Sequence, residues 1–423
     1  MRKFSLFMLW VATLLVISLA SCKKSKTEPD LPKSLFTIDF TDNYIKKQLS
    51  GFILVSDPQG KFLGDTICNA NGKYPVYLKS NSPVPTRLTI TVGYYEIIMH
   101  ILTIHLNTYK DVAPFGEWKM KGSRPDTVGH TTVSLTNLPV LVGPIIYSNA
   151  GYSNMTFGTS DQEQMLYLSP DDLYVKIKAQ GGDKFKWQQN IKLSETYTID
   201  MSDAGTTANH TISFPVNAQD YDVSLYGYKD TNYDSPLSVL TDRVISDGTI
   251  INNVNLAFPP STFSGFLTDM MIRESYTSDL QWFYCVTGVI PDQFRKIDAS
   301  INSVDAIAGH ASLNASGTFM MSAVNWQFVD MEHTLFDWNI FGPDTAKVLS
   351  LPVLSPNIAK LFPNLKADSM AYASTELRYY PNLNNYQDIL RMLFDPERTN
   401  LPADFEMRSV KKNVSGKQRK VTK

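Results

Sequence analysis

Serine hydrolysis, phosphate cradling and metal binding each need particular residues at particular spacings, and the chain comes near several of these patterns. Gly151-Tyr152-Ser153-Asn154-Met155 begins like the sharp turn that exposes a nucleophilic serine. That turn needs glycine on both sides of the serine, and Met155 fills the second position. Gly60-Lys61 and Gly72-Lys73 lack the preceding glycine and the following Ser or Thr of a phosphate loop, so they read as turns between strands. The six histidines are scattered, and none begins a His-Glu-x-x-His motif. His100 and His105 lie five apart on an expected strand and so point to opposite faces. Asp330, Glu332 and His333 are closer together, but strand patterns at 326–329 and 334–338 make 330–333 a polar hairpin turn rather than a zinc site. Asp230-Thr231-Asn232-Tyr233-Asp234-Ser235 places oxygens at alternate positions as a calcium loop does. It has Ser235 where that loop has glycine and Thr241 where it has its last carboxylate. No complete catalytic, metal or cofactor site is legible, and a non-catalytic role is the expectation.

Ligand platforms are the remaining chemistry. Sugars stack on aromatic rings displayed on sheet faces, and a tyrosine can do this with its hydroxyl left wet. Tyr226 and Tyr228 fall on the strand face opposite Val223 and Leu225, which makes them the first candidates for such a platform. Tyr94, Tyr95, Tyr379 and Tyr380 are further ones. Tyrosine is common on half-buried strands, and packing accounts for most of these.

The elements that would position these residues are strands. Leu88-Thr89-Ile90-Thr91-Val92 and Tyr174-Val175-Lys176-Ile177-Lys178 alternate with period two, the mark of half-buried strands. Clusters of Gly, Asn, Asp and Pro recur between such runs, which suggests a mainly β chain of tandem antiparallel β-sandwich modules. Helical spacing is confined to 357–362 and 385–394. Module ends are expected near 139 and 260, where Val133–Pro139 and Val254–Pro259 echo each other as strands stopped by proline. The expected organisation is therefore 35–139, 140–260 and 261–403. The end, 404–423, carries Arg408, Lys411, Lys412, Lys417, Arg419, Lys420 and Lys423 with no acid after Glu406, and reads as a solvated basic tail.

The N-terminus has the form of an export signal. Arg2 and Lys3 precede an apolar run over 4–19 that ends in small residues, as a secretory signal over 1–21 does. Leu19-Ala20-Ser21-Cys22 resembles the lipobox of bacterial lipoproteins. The resemblance implies cleavage before Cys22, lipidation of its thiol and stable membrane anchoring, since two or three acyl chains hold where one is marginal. Residues 22–34 are polar and proline-bearing, and read as a flexible tether. In lipoproteins of this kind an aspartate after the cysteine favours the inner membrane. Lys23 therefore favours the outer membrane, with the periplasmic or surface face left open.

Gly51 to Gly60, with Asn71-Gly72 beyond, resembles the start of carboxypeptidase-regulatory-like sandwiches: a glycine-led strand, an Asp57-to-Gly60 turn, a second strand and a later glycine turn. That resemblance implies a transthyretin-like sandwich without catalytic residues. Asp65-Thr66-Ile67, Asp126-Thr127-Val128, Asp344-Thr345-Ala346 and Asp368-Ser369-Met370 resemble the O-glycosylation acceptors of some Gram-negative bacteria.

Composition agrees with an envelope protein. Aromatics are 12% and charged residues 19%, and the net charge of −2 gives no reason to expect nucleic acid as a partner. With Cys22 lipidated, only Cys68 and Cys285 remain of three cysteines. Both lie in strand-like runs, as small buried hydrophobes or as a disulfide. The expected role is structural or binding, with a glycan or an envelope protein as partner. An exposed aromatic row would favour glycan binding. A cleft with converging histidine and carboxylates would favour a hydrolase.

Overall fold

The computed structural model describes residues 34–41, 44–45, 49–79, 83–98, 101–122, 129–149, 152–158, 162–168, 171–230, 237–245, 249–260, 262–275, 277–307, 309–330, 334–395 and 401–414. The signal, Cys22 and nearly all of the tether lie outside them. The chain is mainly β, with several sheets and only short helices.

Its frame is a twelve-stranded sheet. In spatial order the strands are β18 (Leu237–Ile245), β17 (Asp220–Tyr228), β20 (Gly265–Arg273), β21 (Leu280–Gly288), β28 (Glu406–Asn413), β27 (Ala371–Tyr379), β24 (Met321–Val329), β25 (Leu335–Pro343), β6 (Ile101–Val112), β5 (Leu88–Ile98), β2 (Gly51–Ser56) and β3 (Phe62–Cys68). Neighbours are antiparallel except β25 and β6, which run parallel with His105 opposite Asp337. The sheet thus joins strands from before 139, from 140–260 and from beyond 261. Alternation explains the strands: β25 reads half-buried, buried, half-buried along its whole length, as a two-faced strand must. At the β2–β3 turn Asp57 accepts from the N–H groups of Gln59 and Lys61. Gly60 there adopts a positive φ of 86°, which glycine does without steric cost.

Both faces carry packed cores. On one, Phe52, Leu54, Leu106, Trp326, Trp338 and Ile340 form a core with helix α1 (Pro356–Leu361) and with the sheet of β22 (Ala299–Ile307), β23 (His310–Gly317) and β26 (Val348–Ser350). On the other, Ile53, Val55, Ile90, Val92 and Tyr109 pack under β4 (Gly72–Tyr77), β1 (Ser34–Thr41) and β7 (Glu117–Lys121) and under helix α2 (Tyr386–Phe394). Toward the β18 edge, Val223, Leu225, Met270 and Tyr284 meet Ile212, Phe214, Val254 and Leu256 of the pair β16 (Ala208–Ala218) and β19 (Ile251–Phe258).

A separate sandwich has its own core between Val133 and Met201. One sheet is β10 (Tyr152–Thr156), β9 (Leu141–Asn149), β12 (Leu173–Ala179), β13 (Lys184–Gln188) and β15 (Gly205–Thr206). The other is β11 (Gln162–Leu168), β8 (Gly129–Thr136) and β14 (Thr196–Asp200). Strands on either side of residue 139, β8 and β9, share this core.

The end of the chain differs from the solvated tail expected of its charge. Residues 406–413 form β28, hydrogen-bonded between β21 and β27. Val410 and Ser409 are buried, while Arg408 is paired with Glu406 at 2.7 Å. Arg408, Lys411 and Lys412 keep half-buried positions on either side of the buried Ser409 and Val410, so a basic strand fits where a basic tail was expected. Residues 415–423 lie outside the described ones.

Candidate functional site

One part of the large sheet is polar. On the face that carries Tyr109 and Met321, the polar residues beyond the core under helix α2 and its neighbouring sheet are half-buried. Six adjacent strands, β5, β6, β25, β24, β27 and β28, there present polar side chains in register. Tyr94 is opposite His105, His105 opposite Asp337, Asp337 opposite Gln327, Asn325 opposite Ser374, and Glu376 opposite Lys411. Between the last four strands lies a cleft of about 180 Å³, whose lining includes Asn325, Gln327, Asp337, Asn339, Glu376 and Lys411.

Asp337 organises one end of it. Its Oδ1 accepts from Asn325 Nδ2 at 2.7 Å and Gln327 Nε2 at 3.2 Å, and its Oδ2 is 3.5 Å from His105 Nδ1. Burial pushes this carboxyl up, but the hydrogen bonds from His105, Asn325 and Gln327 outweigh it and hold Asp337 below the usual carboxylate range. Asn325 also donates to Asn339 Oδ1 at 2.9 Å, and Asn339 donates to Asn107 Oδ1 at 3.3 Å.

His105 is held on three sides. Tyr94 stacks on its ring with centroids 5.1 Å apart, and Glu96 lies 3.4 Å from Nε2, at ion-pair distance but without hydrogen-bond alignment. At the other end Arg378 donates to Glu376 Oε2 at 2.7 Å and lies over the Phe341 ring. Burial raises the Glu376 carboxyl, and the Arg378 charge beside it more than reverses this, holding Glu376 low and raising Arg378.

No family model matches this chain, and no curated protein matches it in sequence.

The residues singled out from the sequence lie elsewhere. Cys22 is outside the described residues. Tyr226 is half-buried on β17, but Tyr228 is only 2% exposed, against the expectation that both stand out to solvent. The Tyr228 backbone is tied as well, its carbonyl accepting from the Ser264 N–H at 2.8 Å. Ser153 sits within β10, opposite Ser148, and not on a sharp turn. Asp330 closes the β24–β25 hairpin by accepting from the Thr334 N–H at 2.8 Å, while Glu332 and His333 lie outside the described residues. So do His100, and residues 231–235 of the calcium-like loop. Asp65 of the first glycosylation-like triplet is buried against Lys79, Ser355 and Asn357. Cys68 and Cys285 are free thiols.

Glu96 could have been found from sequence, because the β5–β6 hairpin that brings it to His105 is local. Asp337 and Asn325 could not, since a parallel pairing over more than two hundred residues leaves no local signal.

Proposed function

We propose that this chain is a lipid-anchored cell-envelope protein with a non-catalytic binding role, its ligand held in the polar cleft of the large sheet. The anchoring rests on the Leu19-to-Cys22 sequence and the outer membrane on Lys23. The binding role rests on the cleft: polar side chains from four adjacent strands, fixed by one another and half-buried on the sheet face. Binding sites are characteristically pre-formed and built on a rigid scaffold. Both ring nitrogens of His105 face carboxylates, which suits a fixed positioning group better than a base with a nitrogen aimed at substrate.

A hydrolase is the second reading, favoured by that same convergence of His105, Glu96 and Asp337. Full-length wild type and Gln327→Ala, purified in detergent, should be incubated with separated envelope polysaccharide, peptidoglycan fragments and outer-membrane proteins. A rise in melting temperature for wild type alone is the expected result. No shift with any fraction would leave a structural role, and release of small fragments from a polymer would favour the hydrolase. For the anchor, Cys22→Ala should leave the membrane fraction. A variant that still partitions with membranes, beside a wild type carrying no acyl mass, would remove that part.

A further inference from the structure

The way the cleft spends its charges and amide protons narrows what it can hold. Every ionised group described there already faces an opposite charge or a donor. Asp337 is satisfied by His105, Asn325 and Gln327, and Glu376 by Arg378, while the charge of Lys411, opposite Glu376 in register, also helps hold that carboxyl low. A charged ligand would have to break one of these pairings in a half-buried setting, where an unpaired partner is costly.

The amides narrow the ligand further. An ionised carboxylate only accepts, so Asp337 forces Asn325 and Gln327 to turn their NH₂ groups toward it. Asn325 has two amide protons and uses them on Asp337 and Asn339. What it presents to the cleft is its carbonyl oxygen, while Gln327, with one proton on Asp337, presents its carbonyl oxygen and its second amide proton. At the next position the relay reverses. Asn339 gives a proton to Asn107 Oδ1, which turns the Asn107 NH₂ away as a donor. The face thus offers fixed acceptors and a fixed donor side by side, without surplus charge.

Resting on the cleft as the binding site, we infer that its ligand is a neutral, hydroxyl-rich chain, a glycan, laid across the strands. A hydroxyl donates and accepts at once, which meets such an array; apolar side chains would find only Ala323 and Phe341 in the lining. Six strands span about 24 Å at the usual spacing of strands in a sheet, room for several sugar rings. Tyr94, stacked on His105, flanks the β5 end.

The test is binding of full-length protein, held in a detergent without a sugar headgroup, to neutral gluco-, manno- and xylo-oligosaccharides. Uronic-acid polymers and neutral peptides run beside them. Asn325→Ala and Gln327→Ala are compared with wild type and with Tyr226→Ala, elsewhere on the sheet, after thermal unfolding shows each is folded. The expected result is a neutral oligosaccharide whose affinity falls about tenfold in either amide variant and is unchanged in Tyr226→Ala. Binding of only a charged polymer or a peptide, weakened by the amide variants, would overturn the glycan and leave the cleft as the site. Glycan binding indifferent to both amide variants, or no binding of any probe, would overturn both.

Discussion

Asp337 Oδ2 and His105 Nδ1 stand 3.5 Å apart across the one parallel pairing described in the large sheet. The contact links β25 to β6 and, through Glu96, to β5. Since Asp337 is held below the ordinary carboxylate pKa of about 4, it stabilises the fold above that value and loses the contribution as pH falls through its folded pKa. Asp337→Asn should therefore cost about 1–3 kcal/mol at neutral pH, with the gap from wild type closing below about pH 4. Urea unfolding at several pH values measures this. A gap that stays constant with pH would show that Asp337 matters by shape alone.

Ser355 does two things at the start of α1. Its Oγ accepts from the Ile358 N–H at 3.3 Å and donates to the buried Asp65, to which Lys79 is also paired. Asp65 too is held low: burial raises it, and the bonds from Lys79 and Ser355 more than offset that. Ser355→Ala should cost more than the ~1 kcal/mol of an ordinary N-cap, because it also strips a donor from Asp65. In Asp65→Asn the same serine substitution should cost less. Equal costs in the two backgrounds, read by denaturant melts, would separate the cap from the carboxylate.

Burial pushes the Cys68 thiol up to about 12 and raises Cys285 as well. Thiolate is the reactive form, so neither should react with a maleimide at pH 7.5 in the folded protein, and both should in guanidinium. Prompt labelling of Cys68 without denaturant would show that the β2–β3 edge opens readily.

Removing 406–423 should abolish cooperative unfolding and expose apolar surface to a fluorescent probe, since β28 supplies both ladders that join β21 to β27. Truncation after Val414 keeps every described β28 pairing, and its melting temperature should match wild type. A cooperative melt in the shorter variant would mean that the halves of the sheet stand alone.

What was legible in the sequence was local. Period-two runs such as 88–92 and 174–178 became β5 and β12, the 385–394 spacing became α2, and Asp57 with Gly60 became a hairpin turn. The candidate site was not legible, because its residues are ordinary strand polars. Asn325, Asp337 and Glu376 gain meaning only from the register that sets them side by side, and that register is fixed by apolar residues on the opposite face. The same holds for β28, whose charge suggests solvent and whose pairing with β21 and β27 has no local signal, and for Tyr228, whose burial no pattern within its own strand announces.

The place of β28 also fixes an order of events. A chain delivered from its N-terminus, by a ribosome or through a secretion channel, brings every other strand of the sheet out first. Until residues 406–413 follow, β21 and β27 each show an unpaired edge, and such edges invite pairing with other chains. Of the described strands of this sheet, the one made last is thus the one that joins its two halves. An arrest or a nonsense mutation between β27 and β28 leaves an incomplete molecule with two open margins.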